Sequence, residues 1–143
     1  MSVGLLLITH NEIGAALLAA VTRMLGRCPL RARALAVRQE GDCDRLRIVA
    51  MDWVAALDDG DGVLVLTDLF GSTPANIAAS LQGRAGVRTL SGVNLPMLVR
   101  VLNYPDLPLD ALAEKAFGGG RDGVMYCRSP EAAADAAAEA CKR

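Results

Sequence analysis

Two hydrophobic rhythms alternate along the chain. Val3 to Thr9, ending at His10, and Val63 to Leu66 are nearly unbroken apolar runs, which suits strands buried on both faces of a parallel sheet. Elsewhere the apolar positions recur at helical spacing. Ile13, Leu17, Ala20, Val21, Met24 and Leu25 fall on one helical face, as do Leu46, Val49, Ala50, Trp53, Val54 and Leu57. Gly26 and Pro29 end the first of these helices, and Asp58-Asp59-Gly60-Asp61-Gly62 ends the second. Gly41-Asp42-Cys43-Asp44 reads as a turn with capping potential before the second helix. Arg31 to Arg38 is a weaker strand, with Leu35 and Val37 its best apolar positions, and Val87 to Leu90 is a short one.

The second half of the chain continues the alternation. Pro74 stands where a helix accepts proline, at its first position, with Thr73 or Ser72 as N-cap. Pro96 opens a similar helix carrying Met97, Leu98, Val101 and Leu102. Asp106 to Phe117 allows one more helical segment. Gly118 to Gly123 then reads as a flexible turn, Val124 to Cys127 as a strand, and Ser129-Pro130-Glu131 as the cap of an alanine-rich helix through Cys141. The pattern predicts an α/β fold around a mostly parallel sheet flanked by helices, with residues 1–143 forming one domain.

That fold class directs attention to one end of the sheet. Ligands of open α/β sheets bind beyond the C-terminal strand ends, where the strand order reverses. His10 ends the first strand and Asp68 ends the third. In the expected order 2-1-3-4 these two ends are neighbours.

Composition removes several alternatives. Hydrophobic residues make up 52% and charged residues 22%, which marks a globular chain rather than a disordered one. Net charge is −1 and only 3% of residues are aromatic, so no basic face with stacking rings is expected for nucleic acid. No apolar run is long enough to span a bilayer, and no basic region precedes the first one, so a cytoplasmic location is expected. Cys28, Cys43, Cys127 and Cys141 show no CxxC spacing and His10 is the single histidine. The expectation is free, mostly buried thiols, with no metal and no cofactor.

The chemistry then follows from three features placed together. A carboxylate that accepts a hydrogen bond from one imidazole nitrogen fixes the tautomer and makes the other nitrogen more nucleophilic. The turn Gly71-Ser72-Thr73 before Pro74 aims backbone N–H groups and a helix dipole at an anion. Nucleophilic His10, orienting Asp68 and an anion cradle at Gly71, Ser72 and Thr73 describe a phosphohistidine site.

Four segments carry a family resemblance. Thr9-His10 follows the first strand, and Asp68-Leu69-Phe70-Gly71-Ser72-Thr73-Pro74 resembles an Asp-x-[Phe/Trp]-Gly-Gly-[Ser/Thr]-Pro motif. Gly92-Val93-Asn94-Leu95-Pro96-Met97-Leu98 and Gly120-Arg121-Asp122-Gly123-Val124 resemble two further segments of the same family. The chain is similar to the mannose-type IIA components of the bacterial phosphoenolpyruvate-dependent sugar phosphotransferase system (PTS). The resemblance implies that His10 takes a phosphoryl group from phospho-HPr and passes it to a IIB partner, with Asp68 orienting it and Thr73 contacting the phosphoryl group. It also implies a homodimer that exchanges a late antiparallel strand at Val124 to Cys127, and membrane association only through a permease complex. The alternative within the family is a regulatory phosphoprotein whose His10 state is read by another protein.

Ser72 departs from the motif, which often has a second glycine there. A position with φ > 0 would make serine unfavourable by roughly 1 kcal/mol; the alternative is that serine adds a hydroxyl to the anion site. Asp68 to Thr73 also resembles the nucleophile loop of haloacid dehalogenase-type phosphatases. In those enzymes the threonine directly follows the glycine and the motif sits on the first strand, and neither holds here. A response-regulator receiver needs carboxylates after the first strand, where this chain has Thr9-His10-Asn11.

Overall fold

The computed structural model describes residues 2–38 and 42–141. In chain order the elements are β1 (Gly4–His10), α1 (Ile13–Leu25), β2 (Ala32–Val37), α2 (Cys43–Leu57), β3 (Val63–Thr67), α3 (Thr73–Leu81), β4 (Val87–Leu90), α4 (Leu95–Leu102), α5 (Leu109–Asp122) and α6 (Pro130–Cys141). Four parallel strands form one sheet in the order β2-β1-β3-β4. This is the expected order.

The apolar runs have a direct cause. Side chains alternate across a strand, so a strand covered on both faces must be hydrophobic at every position. Leu5 and Leu7 of β1, with Leu64 and Leu66 of β3, pack against Val21, Leu98, Val101 and Leu112 of α1, α4 and α5. Leu6 and Ile8, with Val63 and Val65, meet Ala50, Val54, Ile77 and Leu81 of α2 and α3 on the other face. Each fully buried leucine contributes about 1.5–3 kcal/mol. The two central strands are thereby fixed, and with them the level at which β1 and β3 end: Ile8 lies opposite Thr67, and His10 opposite Val37.

Two expectations change in the structure, and a third is not met within the single chain. Of the turn expected at Gly41–Asp44, Gly41 lies outside the described residues, and Cys43 and Asp44 already belong to α2. The supposed flexible turn at Gly118–Gly123 is mostly helix, since α5 continues through Gly118, Gly119 and Gly120 to Asp122. Gly119 and Gly120 serve close packing rather than flexibility. A Cβ on Gly119 would stand 2.6 Å from Arg100 Cβ, and one on Gly120 would stand 2.7 Å from Met97 Cε, so α5 lies tightly on α4. Finally, Val124 to Cys127 forms no strand in the single chain. It runs on from α5 with Val124, Met125 and Tyr126 largely exposed.

The cysteines also differ from expectation. Cys28 and Cys43 are half-buried, while Cys127 and Cys141 are exposed, because the segments carrying the last two lie off the sheet. Among the described residues no helix is long and apolar enough to cross a membrane.

Candidate functional site

The last residue of β1 and the first residue after β3 meet at the C-terminal edge of the sheet. His10 Nδ1 lies 2.8 Å from Asp68 Oδ2, and the His10 backbone N–H donates to the same oxygen at 2.9 Å. The other carboxylate oxygen accepts from the Leu69 N–H at 3.1 Å. An ionised carboxylate only accepts, so Nδ1 carries the ring proton and Nε2 holds the free lone pair. The Asp68 side chain is 12% exposed and the imidazole 42%, so the orienting group is covered while the ring still reaches solvent.

The electrostatics keep Asp68 charged. Burial works against ionisation, but the His10 amide, the His10 ring and the backbone amide of Asp68 outweigh it, holding the carboxyl below its ordinary range.

The β3–α3 turn supplies the rest of the expected constellation. Gly71 takes φ of 79°, in the left-handed region that glycine enters without strain. Ser72 has φ of −95° and ψ of 172°, the extended geometry of an N-cap. Its place in the motif therefore carries no backbone penalty. The Ser72 hydroxyl donates to Leu69 O at 2.5 Å, and accepts from the Ala75 N–H at 3.5 Å. Thr73 is half-buried as the first residue of α3, with Pro74 buried behind it. Pro74 has no N–H and that of Ala75 goes to Ser72, so the Thr73 N–H is the first-turn donor left without a helical acceptor, just past Asp68.

Neighbouring contacts hold the β1 end in place. Thr9 Oγ1 accepts from the Gly14 N–H at 2.8 Å, which ties the start of α1 to β1. Asn11, the one non-glycine residue with positive φ among the described residues, donates its N–H to Val37 O at 3.1 Å. The segment Gly92–Leu98 proves structural: Asn94 caps α4 by accepting from the Met97 N–H at 2.9 Å, and its amide donates to Gly120 O at 3.0 Å.

Two features escaped the sequence reading. Leu69 and Phe70 protrude beside Asp68, with Phe70 85% exposed, and form an apolar rim on the site. A surface ion pair between Glu12 and Arg38 spans the ends of β1 and β2. Its partners lie 26 residues apart, so no local pattern marks it. Among the described residues no His, Cys, Asp and Glu side chains cluster as a metal site.

Comparisons with known proteins agree with this architecture. The family described as "PTS system fructose IIA component" matches residues 4–116. A PTS system mannose-specific EIIAB component of Escherichia coli (strain K12) is 36% identical over 95 residues, which make up 63% of this chain and 29% of that protein. The chain thus corresponds to well under half of this relative's length. Among solved structures, the mannose/sorbose-specific IIA subunit from Enterococcus faecalis superposes with a TM-score of 0.81 at 24% identity, covering 91% of this chain and 98% of that one. A putative PTS permease from Klebsiella pneumoniae gives a TM-score of 0.74 at 25% identity, over 89% of this chain and 92% of the other. With residues 4–116 matched and the same sheet order beneath them, the chain belongs to the mannose-type IIA components of the bacterial sugar phosphotransferase system.

Proposed function

We propose that His10 is a phosphorylated carrier residue, taking a phosphoryl group from phospho-HPr and giving it to a IIB component. The observation that carries this reading is the 2.8 Å contact of Nδ1 with Asp68, which leaves Nε2 as the nucleophile at the mouth of the site. In the transfer the Nε2 lone pair forms a new N–P bond. The N–P bond to the donor's imidazole breaks, and its electron pair stays on the donor. As Nε2 bonds phosphorus, His10 becomes imidazolium-like, and the Asp68 carboxylate stabilises that charge. Gly71, Ser72 and Thr73 hold the phosphoryl oxygens at the α3 N-terminus: Thr73 by hydroxyl and N–H, Gly71 by allowing the turn, Ser72 by capping the helix. The chemistry is positioning and charge stabilisation, and it calls for no cofactor.

Features of the surface support these partners. The exposed Leu69 and Phe70 suit a protein donor and a protein acceptor that must cover the site during transfer. A regulatory target that reads phospho-His10 would use the same site. Residues 1–143 act as one domain, and two copies pair, each adding Val124 to Cys127 to the free edge of β4 of the other. The exposed Val124, Met125 and Tyr126 support this pairing, and light scattering at micromolar concentration tests it.

The deciding experiment is an intact-mass measurement at neutral pH after incubation with phosphoenolpyruvate, enzyme I and HPr. Gain of one phosphoryl group in the wild type but not in His10→Ala is expected. No gain while HPr itself is phosphorylated would overturn the reading.

A further inference from the structure

The sheet order puts a second charged group at the end of the strand next to β1, on the side away from Asp68. Val37 is the Cα partner of His10, so Arg38 begins one residue beyond the level of His10 and one strand over, at a spacing of about 4.8 Å. Glu12 lies two residues after His10. Arg38 Nε donates to Glu12 Oε1 at 2.9 Å, and Nη2 reaches the same oxygen. The pair is 67% and 60% exposed, and exposed ion pairs add little to stability. Its position is more telling than its strength. A guanidinium is a planar fork suited to phosphoryl oxygens, and here it rests on an acidic residue next to the nucleophile.

We propose that Arg38 is a positioning residue for the phosphorylated state: it leaves Glu12 and pairs with the phosphoryl group on His10 Nε2, and Glu12 sets how readily it does so. This rests on the phosphocarrier reading only in placing a phosphoryl group on His10. Before phosphorylation the Arg38 charge is shared with Glu12, so the site does not hold a free cation that would capture stray anions. Afterwards the phosphoryl dianion outcompetes the single carboxylate for the fork. Other charged groups around this end of the sheet are Asp68 on the β3 side, and Asp42 and Arg45 at the start of α2. Arg38, Arg45 and Asp42 line one shallow cleft of about 360 Å³, so with Glu12 the β2 side carries two cations and two carboxylates, while Asp68 faces the ring.

The test places the phosphoryl group on His10 chemically, with phosphoramidate, and follows the ionisation of that group by ³¹P NMR titration. A nearby cation favours the dianion and lowers the titration midpoint. Arg38→Gln should raise the midpoint by roughly half a unit, the threefold effect that one exposed charge contact supplies. Arg38→Lys should restore most of it, and Glu12→Gln should lower the midpoint below wild type. A merely structural pair would respond alike to loss of either partner. In the Arg38→Gln background Glu12→Gln should lose most of its effect, because it acts through Arg38. Shifts of the same sign in the two single variants, no shift, or strict additivity in the double variant would overturn the proposal. So would a His10 that phosphoramidate leaves unmodified. A parallel equilibrium with phospho-HPr separates the two claims. If HPr fails while the opposed shifts persist, the carrier reading falls and the Arg38 assignment stands.

Discussion

Asp68 Oδ2 receives two hydrogen bonds from a single residue, the backbone N–H of His10 at 2.9 Å and the ring Nδ1 at 2.8 Å. One oxygen thus fixes both where His10 starts and which way its ring turns. The carboxylate acts on the tautomer and on the backbone together.

Asp68→Asn separates those two effects. An amide oxygen still accepts from the backbone, but it no longer carries the charge that stabilises an imidazolium-like ring. The phosphorylation rate by phospho-HPr is expected to fall by roughly 10- to 100-fold, the range seen when a group orienting a functional histidine is lost. Rapid-quench measurement with labelled phosphoenolpyruvate reads it, and an unchanged rate would remove Asp68 from the mechanism.

The same carboxyl makes stability depend on acid pH. Its pKa is lowered in the folded protein, chiefly because the His10 hydrogen bonds outweigh the opposing effect of burial. Its contribution is therefore fully present above the ordinary aspartate value of about 3.9 and is lost as pH falls through the lower folded value. Urea unfolding of wild type and Asp68→Asn between neutral and strongly acid pH should show a stability gap that closes only at the acid end. A gap that widens on acidification would contradict the geometry.

Ser72 tests the cap. Its φ of −95° and its bonds to Leu69 O and Ala75 N predict that Ser72→Ala costs about 1 kcal/mol, while Ser72→Gly costs a few tenths. Gly71→Ala, at φ of 79°, should cost about 1 kcal/mol for backbone strain alone, since nothing lies within 4 Å of its added Cβ. Equilibrium denaturation in urea distinguishes the three.

Neighbouring glycines of α5 should respond with opposite signs. Gly118 faces open space, so Gly118→Ala should stabilise by about 0.5–1 kcal/mol through helix propensity. Gly119→Ala drives a Cβ to 2.6 Å from Arg100 Cβ and should destabilise despite the same propensity gain. Thermal unfolding of the two variants gives the comparison, and equal shifts would mean that α5 does not pack as closely on α4 as it does here.

Much of this protein was written locally. The unbroken runs at Val3–Thr9 and Val63–Leu66 determined two central strands, because only strands covered on both faces need to be apolar at every position. The helical stripes, the cap at Ser72 and the prolines at Pro74 and Pro96 determined where helices lie, since capping and periodicity act over a few residues. Strand alternation and the two motif ends were enough to bring His10 and Asp68 to one place. What the sequence misassigned depended on contacts between distant segments. Three glycines in a row read as a turn because isolated propensity opposes a helix there, yet the close approach of α4 makes the missing side chains of Gly119 and Gly120 a packing requirement. Val124 to Cys127 is a separate case: it has the composition of a strand and lies in no strand of the single chain, because backbone pairing is a property of two segments. The tautomer of His10, the extended φ of Ser72 and the Arg38–Glu12 pair were likewise settled only by tertiary structure, because each is a distance or an angle between groups that the chain order leaves unspecified.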